Sequence, residues 1–428
     1  MGNKFKFETL CLHAGQQPDP ATTARGVPLH RTSSYVFKSS KHAADLFALK
    51  EMGNIYTRIM NPTQDVLEQR IAALEGGAAA LALSSGTSAV YYTIINICEA
   101  GDDIVSARNL YGGTYTMFDC ILPQFGIHTH FADSTDPESF DRAITEKTRA
   151  VYIETIGNPA LDFTDIGAIA EIAQRHHLPL IVDATFTTPY LLKSIEYGAD
   201  IVVNSLTKWM GGHGTGIGGI VVDSGKFDWQ DPKFKLYNEP DPSYHDIRYA
   251  HDLGDMNPIA FILRMRLVPL RNLGACISPD NAWMFLQGLE TLPLRMQRHC
   301  ENAAEVARFL KEHPKVEWVR YPGLTDDPTY PVASRYLKKG FGGMVVFGIK
   351  GGLEAGRQFV DSLKLFSHLA NVGDAKSLVI HPASTTHSQL SEEQQRDGGL
   401  TPDLVRLSIG LENIDDIKED LDQAFGRT

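Results

Sequence analysis

Residues 199–219 read ADIVVNSLTKWMGGHGTGIGG. The run Ile201–Val203 is apolar and β-branched, ends in Asn204-Ser205, and leads into Leu206, Thr207, Lys208 and a cluster of glycines. A short apolar run of this kind suits a buried strand. Lysine is seldom buried, because desolvation disfavours its charged form. A lysine at such a strand end, beside two hydroxyl side chains and a flexible loop, is placed to work as a neutral amine and attack a carbonyl.

Upstream, PLIVDATFTTP at 179–189 forms a second short strand, Leu180–Val182, closing on Asp183. A lysine for the aldehyde and a carboxylate for the pyridine nitrogen are the two groups a pyridoxal phosphate enzyme takes from its protein. The carboxylate keeps that nitrogen protonated, so the ring draws off the electrons of a carbanion. By themselves the two stretches read equally as a helix-capping aspartate and a lysine in a loop at the rim of a sheet.

Taken together, Asp183, Ser205-x-Thr207-Lys208, SSGTSA at 84–89 and Tyr56-x-Arg58 resemble the Cys/Met-metabolism family of pyridoxal phosphate enzymes. That family includes cystathionine synthases and lyases, methionine γ-lyases and O-acetylhomoserine sulfhydrylases. The resemblance runs from about Thr9 to about Asp422. It implies an α/β protein of pyridoxal phosphate fold type I, with a mostly parallel seven-stranded sheet in a large domain and a smaller C-terminal α+β domain. It also implies a homotetramer built as a pair of dimers.

The totals are those of a soluble globular protein. A chain of 428 residues is long for one core, so two domains and an arm are expected. Hydrophobic residues at 43% and charged residues at 21% are ordinary for a globular protein. A net charge of −12 leaves no basic excess to neutralise nucleic-acid phosphates. Cys11, Cys98, Cys120, Cys276 and Cys300 are scattered and form no C-x-x-C, which suggests reduced thiols in a cytoplasmic protein and no zinc site. No apolar run approaches a membrane span or a signal-peptide core.

In chain order, residues 1–60 lack periodicity and read as an extended arm, which the resemblance sends to the neighbouring subunit. Asn61-Pro62-Thr63 signals a helix start, with Thr63 as a candidate N-cap, and Val66, Leu67, Ile71 and Leu74 share one face before Gly76-Gly77 ends the helix. Strands are expected at Ala79–Leu83, Asp103–Ala107, Ile127–Phe131, Ala150–Glu154, Leu180–Asp183, Ile201–Asn204 and Gly219–Val222. Their alternation with helical segments predicts a covered, mostly parallel sheet within a large cofactor-binding domain, 61–279. Ligands in such sheets bind beyond the carboxyl ends of the strands, where Ser84–Thr87, Asp183 and Ser205–Lys208 fall. An irregular insertion, 224–279, breaks the rhythm. The small domain, 280–428, should open with a long helix from about Asp280 to His313, with strands at Val316–Arg320, Met344–Ile349, Leu378–Ile380 and Val405–Ile409. Gly214, Gly216 and Gly219 make a formal G-x-G-x-x-G, but it leads into a strand and opens no helix, which argues against a dinucleotide fold.

The backbone N–H groups of Gly86 and Thr87, near a helix start, can hold a phosphate; an ordinary serine-rich cap would look the same. By resemblance, Ser85, Gly86 and Thr87 join the hydroxyls of Ser205 and Thr207 at the cofactor phosphate. Tyr111 would stack on the cofactor ring and Asn158 would bond its ring oxygen. Tyr56 and Arg58 would reach a neighbour's cofactor phosphate, Tyr56 also meeting substrate. Arg406 would clamp the substrate carboxylate, with Asn371 beside it; an internal ion pair is the plainer reading of Arg406. HPASTTH at 381–387 has two histidines six apart, reads as scaffold, and gives no metal site.

The resemblance implies replacement at the γ-carbon of an amino acid, with Lys208, Tyr111 and Asp183 as the catalytic groups. Three features are similar to the sulfhydrylase branch: the long insertion with PDPSYH and LRNLGACISP, Gly113 where methionine γ-lyases carry cysteine, and Asn371 where lyases and synthases carry serine. The expected substrates are O-acetyl-L-homoserine and sulfide, or a small thiol such as methanethiol. Methionine γ-lyase and cystathionine γ-synthase or γ-lyase chemistry are the alternatives.

Overall fold

Seven strands alternate with helices between Ala79 and Asp223: β1 Ala79–Leu83, β2 Asp103–Ala107, β3 His128–Ala132, β4 Thr148–Glu154, β5 Leu180–Asp183, β6 Ile201–Ser205 and β7 Gly219–Asp223. The structure is a computed structural model and describes residues 5–385 and 400–428. The strands form one sheet in the order β1-β7-β6-β5-β4-β2-β3. From β6 to β3 every pairing is parallel, while β7 is antiparallel to both β6 and β1. The connections explain this. A helix such as Ile166–Arg175, between β4 and β5, carries the chain back so that the next strand runs the same way. The link from β6 to β7, residues 206–218, has no helix and folds straight back. Ile181, Val182, Ile201, Val202 and Val203 are fully buried, as continuous apolar strands covered on both faces should be. Ser84, Glu154, Asp183 and Ser205 therefore stand at one edge of the sheet.

A second sheet, β8 Val316–Arg320, β9 Met344–Ile349, β10 Ser367–His368, β11 Leu378–Ile380 and β12 Leu404–Ser408, has the order β10-β11-β12-β9-β8. It is antiparallel except at the short β10–β11 pair. It has its own core, in which Val345, Phe347, Val405 and Leu407 meet Phe359, Leu421 and Phe425 from the helices Gly352–Ser362 and Ile414–Phe425.

Several local expectations need correction. The long helix expected over 280–313 is two helices, Pro279–Glu290 and Leu292–Glu312, meeting at Thr291. Pro293 has no N–H and fits only the first turn of a helix, so the chain restarts there. The cap of the helix Pro62–Glu75 is Asn61, whose side chain accepts from the Thr63 N–H; the Thr63 hydroxyl donates to the Pro28 carbonyl instead. Gly76 ends that helix in the left-handed region, φ 81°, as glycine does at a C-cap. Residues before 60 hold two short helices, Phe7–His13 and Ser40–Phe47; Phe7, Leu10 and Cys11 are buried, a stripe too short to show a period. The insertion is irregular but has an aromatic core in which Trp229 stacks on Tyr237, centroids 4.3 Å apart, and on Phe261 at 5.4 Å. All five cysteines are free thiols. Among the described residues no helix is long and apolar enough to cross a membrane.

Candidate active site

Lys208 sits three residues past the end of β6, in a turn closed by the Gly212 N–H donating to the Lys208 carbonyl at 2.7 Å. The buried guanidinium of Arg295 holds the same turn, donating to the Trp209 carbonyl at 2.6 Å and the Met210 carbonyl at 3.1 Å. The Lys208 side chain is half-buried, and Nζ donates to Asn371 Oδ1 at 2.5 Å. Among the described residues no carboxylate pairs with it. Desolvation, and after it the positive charge of Arg406, bring its pKa down to about 8. The amine therefore gives up its proton more readily than an ordinary lysine.

Asp183 closes β5, the strand next to β6. Its Oδ1 accepts the Thr185 N–H at 2.9 Å and its Oδ2 accepts the Tyr152 hydroxyl at 3.3 Å. Burial raises its pKa, and no cation among the described residues offsets this. A carboxylate in that state favours any protonated nitrogen brought to it.

The helix Gly86–Ile95 begins at the end of β1, and Ser85 caps it, its Oγ accepting the Ser88 N–H at 3.0 Å. A Cβ at Gly86 would lie 2.7 Å from the Ser205 Cβ, so only glycine lets the helix start come up against β6. Gly86 thus lies beside Ser205, and the N–H groups of Gly86 and Thr87, in a first helical turn with no intrahelical acceptor, are of the kind that can hold an anion. The Thr207 hydroxyl instead bonds the loop backbone, accepting the Gly218 N–H at 3.1 Å and donating to the Gly218 carbonyl at 3.3 Å. Gly219 starts β7 and no helix follows it, in line with the sequence reading of the glycine motif.

Arg406 stands in β12, 7% exposed, and its Nη1 donates to Asn158 Oδ1 at 2.9 Å. Burial lowers its pKa to about 10. No internal ion pair satisfies it among the described residues. Tyr111 is half exposed, at 52%, with its ring folded over Gly113, and its N–H donates to Glu154 Oε1 at 2.7 Å. Tyr56 and Arg58 form a cation–π pair, 5.3 Å from guanidinium to ring centroid, and Arg58 donates to the Arg271 carbonyl. Neither hydrogen-bonds Lys208, Asp183, Asn158 or Arg406 among the described residues. His381 bonds Ser384 Oγ and the Pro402 carbonyl, a scaffold arrangement; His387 lies outside the described residues.

The donor set fits pyridoxal phosphate. An amine of lowered pKa, a buried carboxylate with no cation beside it among the described residues, and a glycine cradle at a helix start match its aldehyde, ring nitrogen and phosphate. Sequence reasoning missed Tyr152, Glu154 and Arg295. Glu154 ends its strand as Asp183 does, and that shared position was the available signal.

Comparison with known proteins agrees. The chain is 57% identical to an O-acetyl-L-homoserine sulfhydrylase of Leptospira meyeri, over 99% of this chain and 98% of that one. It is 51% identical to O-acetyl-L-homoserine sulfhydrylase 1 of Thermus thermophilus, over 98% of this chain and all of that one. A crystal structure from Campylobacter jejuni carrying N′-pyridoxyl-lysine-5′-monophosphate superposes with a TM-score of 0.95, at 41% identity, covering 99% of this chain and 100% of that one. The family described as Cys/Met metabolism PLP-dependent enzyme matches residues 8–426. With that match spanning nearly the whole chain, the protein belongs to the Cys/Met-metabolism family of pyridoxal-phosphate-dependent enzymes.

Proposed function

We propose that the protein replaces the γ-substituent of an amino-acid ester: O-acetyl-L-homoserine loses acetate and sulfide adds, giving L-homocysteine. The observation that carries this reading is the Lys208 amine, held by a neutral amide and brought to about 8 by burial and Arg406. The Leptospira and Thermus relatives, named for this activity, support the choice of substrates.

Bound pyridoxal phosphate supplies an electron sink for negative charge developing beside the substrate nitrogen. The chain's own residues do the rest. Lys208 Nζ would anchor the cofactor, and as a free amine it would take the α-proton and carry protons between Cα and Cβ. Asp183 keeps the ring nitrogen protonated. Tyr111 covers the ring, Asn158 bonds its oxygen, and Ser85, Gly86, Thr87, Ser205 and Thr207 hold the phosphate. Arg406 grips the substrate carboxylate in a fork, with Asn371 beside it. The Cγ–O bond breaks with its electron pair leaving on acetate, and sulfide supplies the electrons of the new Cγ–S bond.

Tyr56 and Arg58, from the arm at 1–60, complete the site of a second copy, so the working unit is a dimer, paired into a cytoplasmic homotetramer. Residues 61–279 act as the cofactor-binding domain and 280–428 as the small domain. A matrix of kcat/KM values tests the reaction. It pairs O-acetylhomoserine, O-acetylserine, O-succinylhomoserine, cystathionine and methionine with sulfide, methanethiol and cysteine. O-acetylhomoserine with sulfide should be the best pair, with methanethiol giving methionine more slowly. Best turnover of methionine without a nucleophile would make the protein a γ-lyase, and best turnover with cysteine a cystathionine synthase.

A further inference from the structure

Glu154 closes β4 at the edge where Asp183 closes β5, and the two residues are partners in the parallel register. Their side chains therefore project on the same face of the sheet. Glu154 is 6% exposed, and its Oε1 accepts the backbone N–H of Tyr111 at 2.7 Å. The ionisable groups around it are Asp183 and the phenol of Tyr152; among the described residues no cation pairs with it. Tyr111 immediately precedes the short helix Gly112–Thr116, and its own side chain makes no capping bond there. The seat of its backbone N–H is the Glu154 carboxyl.

We infer that Glu154 is a positioning residue that remains a neutral acid. Its carbonyl oxygen fixes the backbone of Tyr111 over the site, and its lack of charge leaves Asp183 as the one carboxylate facing the cofactor nitrogen. The inference rests on the roles proposed above for Tyr111 and Asp183. Two carboxylates this close in a dry site do not both ionise. Burial, with the neighbouring charge of Asp183, pushes Glu154 well above the usual carboxylate range. Asp183 is raised too, by burial, but a protonated ring nitrogen favours its ionised form. Glu154 faces only an N–H donor, which a neutral acid accepts as well.

Infrared difference spectra between wild type and E154Q, in apoprotein and in cofactor-loaded protein near pH 7, read the charge directly. The expected result is a protonated-acid C=O stretch in wild type that vanishes in E154Q. In kinetics, E154A should lose on the order of 10²-fold in kcat, the scale of a misplaced catalytic group. The conservative E154Q, which keeps the acceptor oxygen, should restore most of it. A carboxylate band in place of the acid band, or an E154Q as impaired as a folded E154A, would overturn the inference. If E154A fails to fold, the infrared comparison and E154Q still decide it. A different preferred substrate with the acid band intact would instead overturn the proposed reaction alone.

Discussion

Arg406 donates from Nη1 to the side-chain oxygen of Asn158 at 2.9 Å, which joins β12 of the second sheet to the loop after β4 of the first. A buried guanidinium with only a neutral amide partner binds a carboxylate more strongly than it binds that amide. Arg406→Lys removes the fork and should cut kcat/KM for the amino-acid donor by on the order of 10²-fold or more, with cofactor content unchanged. Steady-state kinetics with absorbance-determined cofactor occupancy check this. An unchanged KM for the donor would make Arg406 a structural tie between the sheets.

Asn371 accepts from the Lys208 amine at 2.5 Å and, as a neutral amide, sets no negative charge beside an amine that burial and Arg406 bring to about 8. Asn371→Asp places a negative charge there and stabilises the ammonium form. The rising limb of the kcat profile, which reports the amine once substrate has freed it, should move to higher pH, with less turnover at neutrality. A profile that does not move would separate Asn371 from control of the amine.

The same amine leaves a mark on apoprotein stability. Lys208 titrates near 8 when folded, against about 10.4 in an unfolded chain. Between those values the unfolded state binds more protons, so stability rises with pH. Below about 8 the folded state carries the full penalty. The Tm of apo wild type relative to apo Lys208→Met should therefore climb between about pH 8 and about pH 10.4. A flat difference would place the free amine in an environment like water.

Arg58 bonds the Arg271 carbonyl and lies over the Tyr56 ring, and among the described residues neither side chain hydrogen-bonds the Lys208 cluster. If they serve a neighbouring copy, Arg58→Ala and Lys208→Ala proteins, each inactive, should partly restore activity when dissociated and reassembled together. A hybrid dimer then holds one site with both native residues. Proven hybrids without recovered activity would mean that each chain builds its site alone.

Much of this was legible in the sequence for local reasons. Lys208 and Asp183 each end a short β-branched run, so buried strands and polar ends announce themselves together. The two-helix break at Thr291 was not, because Leu292 and Met296 continue the apolar spacing on both sides of Pro293. The Asn61 cap was misassigned to Thr63 because both side chains can cap; the contact of Thr63 with Pro28 decides it, and that contact spans 35 residues. Glu154 and Arg295 went unread for the same reason. Their partners, Tyr111 and the Trp209–Met210 carbonyls, lie 43 and 85–86 residues away, and no local pattern encodes them.

The central claim is that the Lys208 amine is the covalent anchor of the cofactor. Borohydride reduction of cofactor-loaded protein, followed by peptide mapping by mass spectrometry, tests it most directly. A stable pyridoxyl adduct should form on Lys208 alone and be lost in Lys208→Ala. An adduct on another lysine, or none in protein that binds the cofactor, would contradict it.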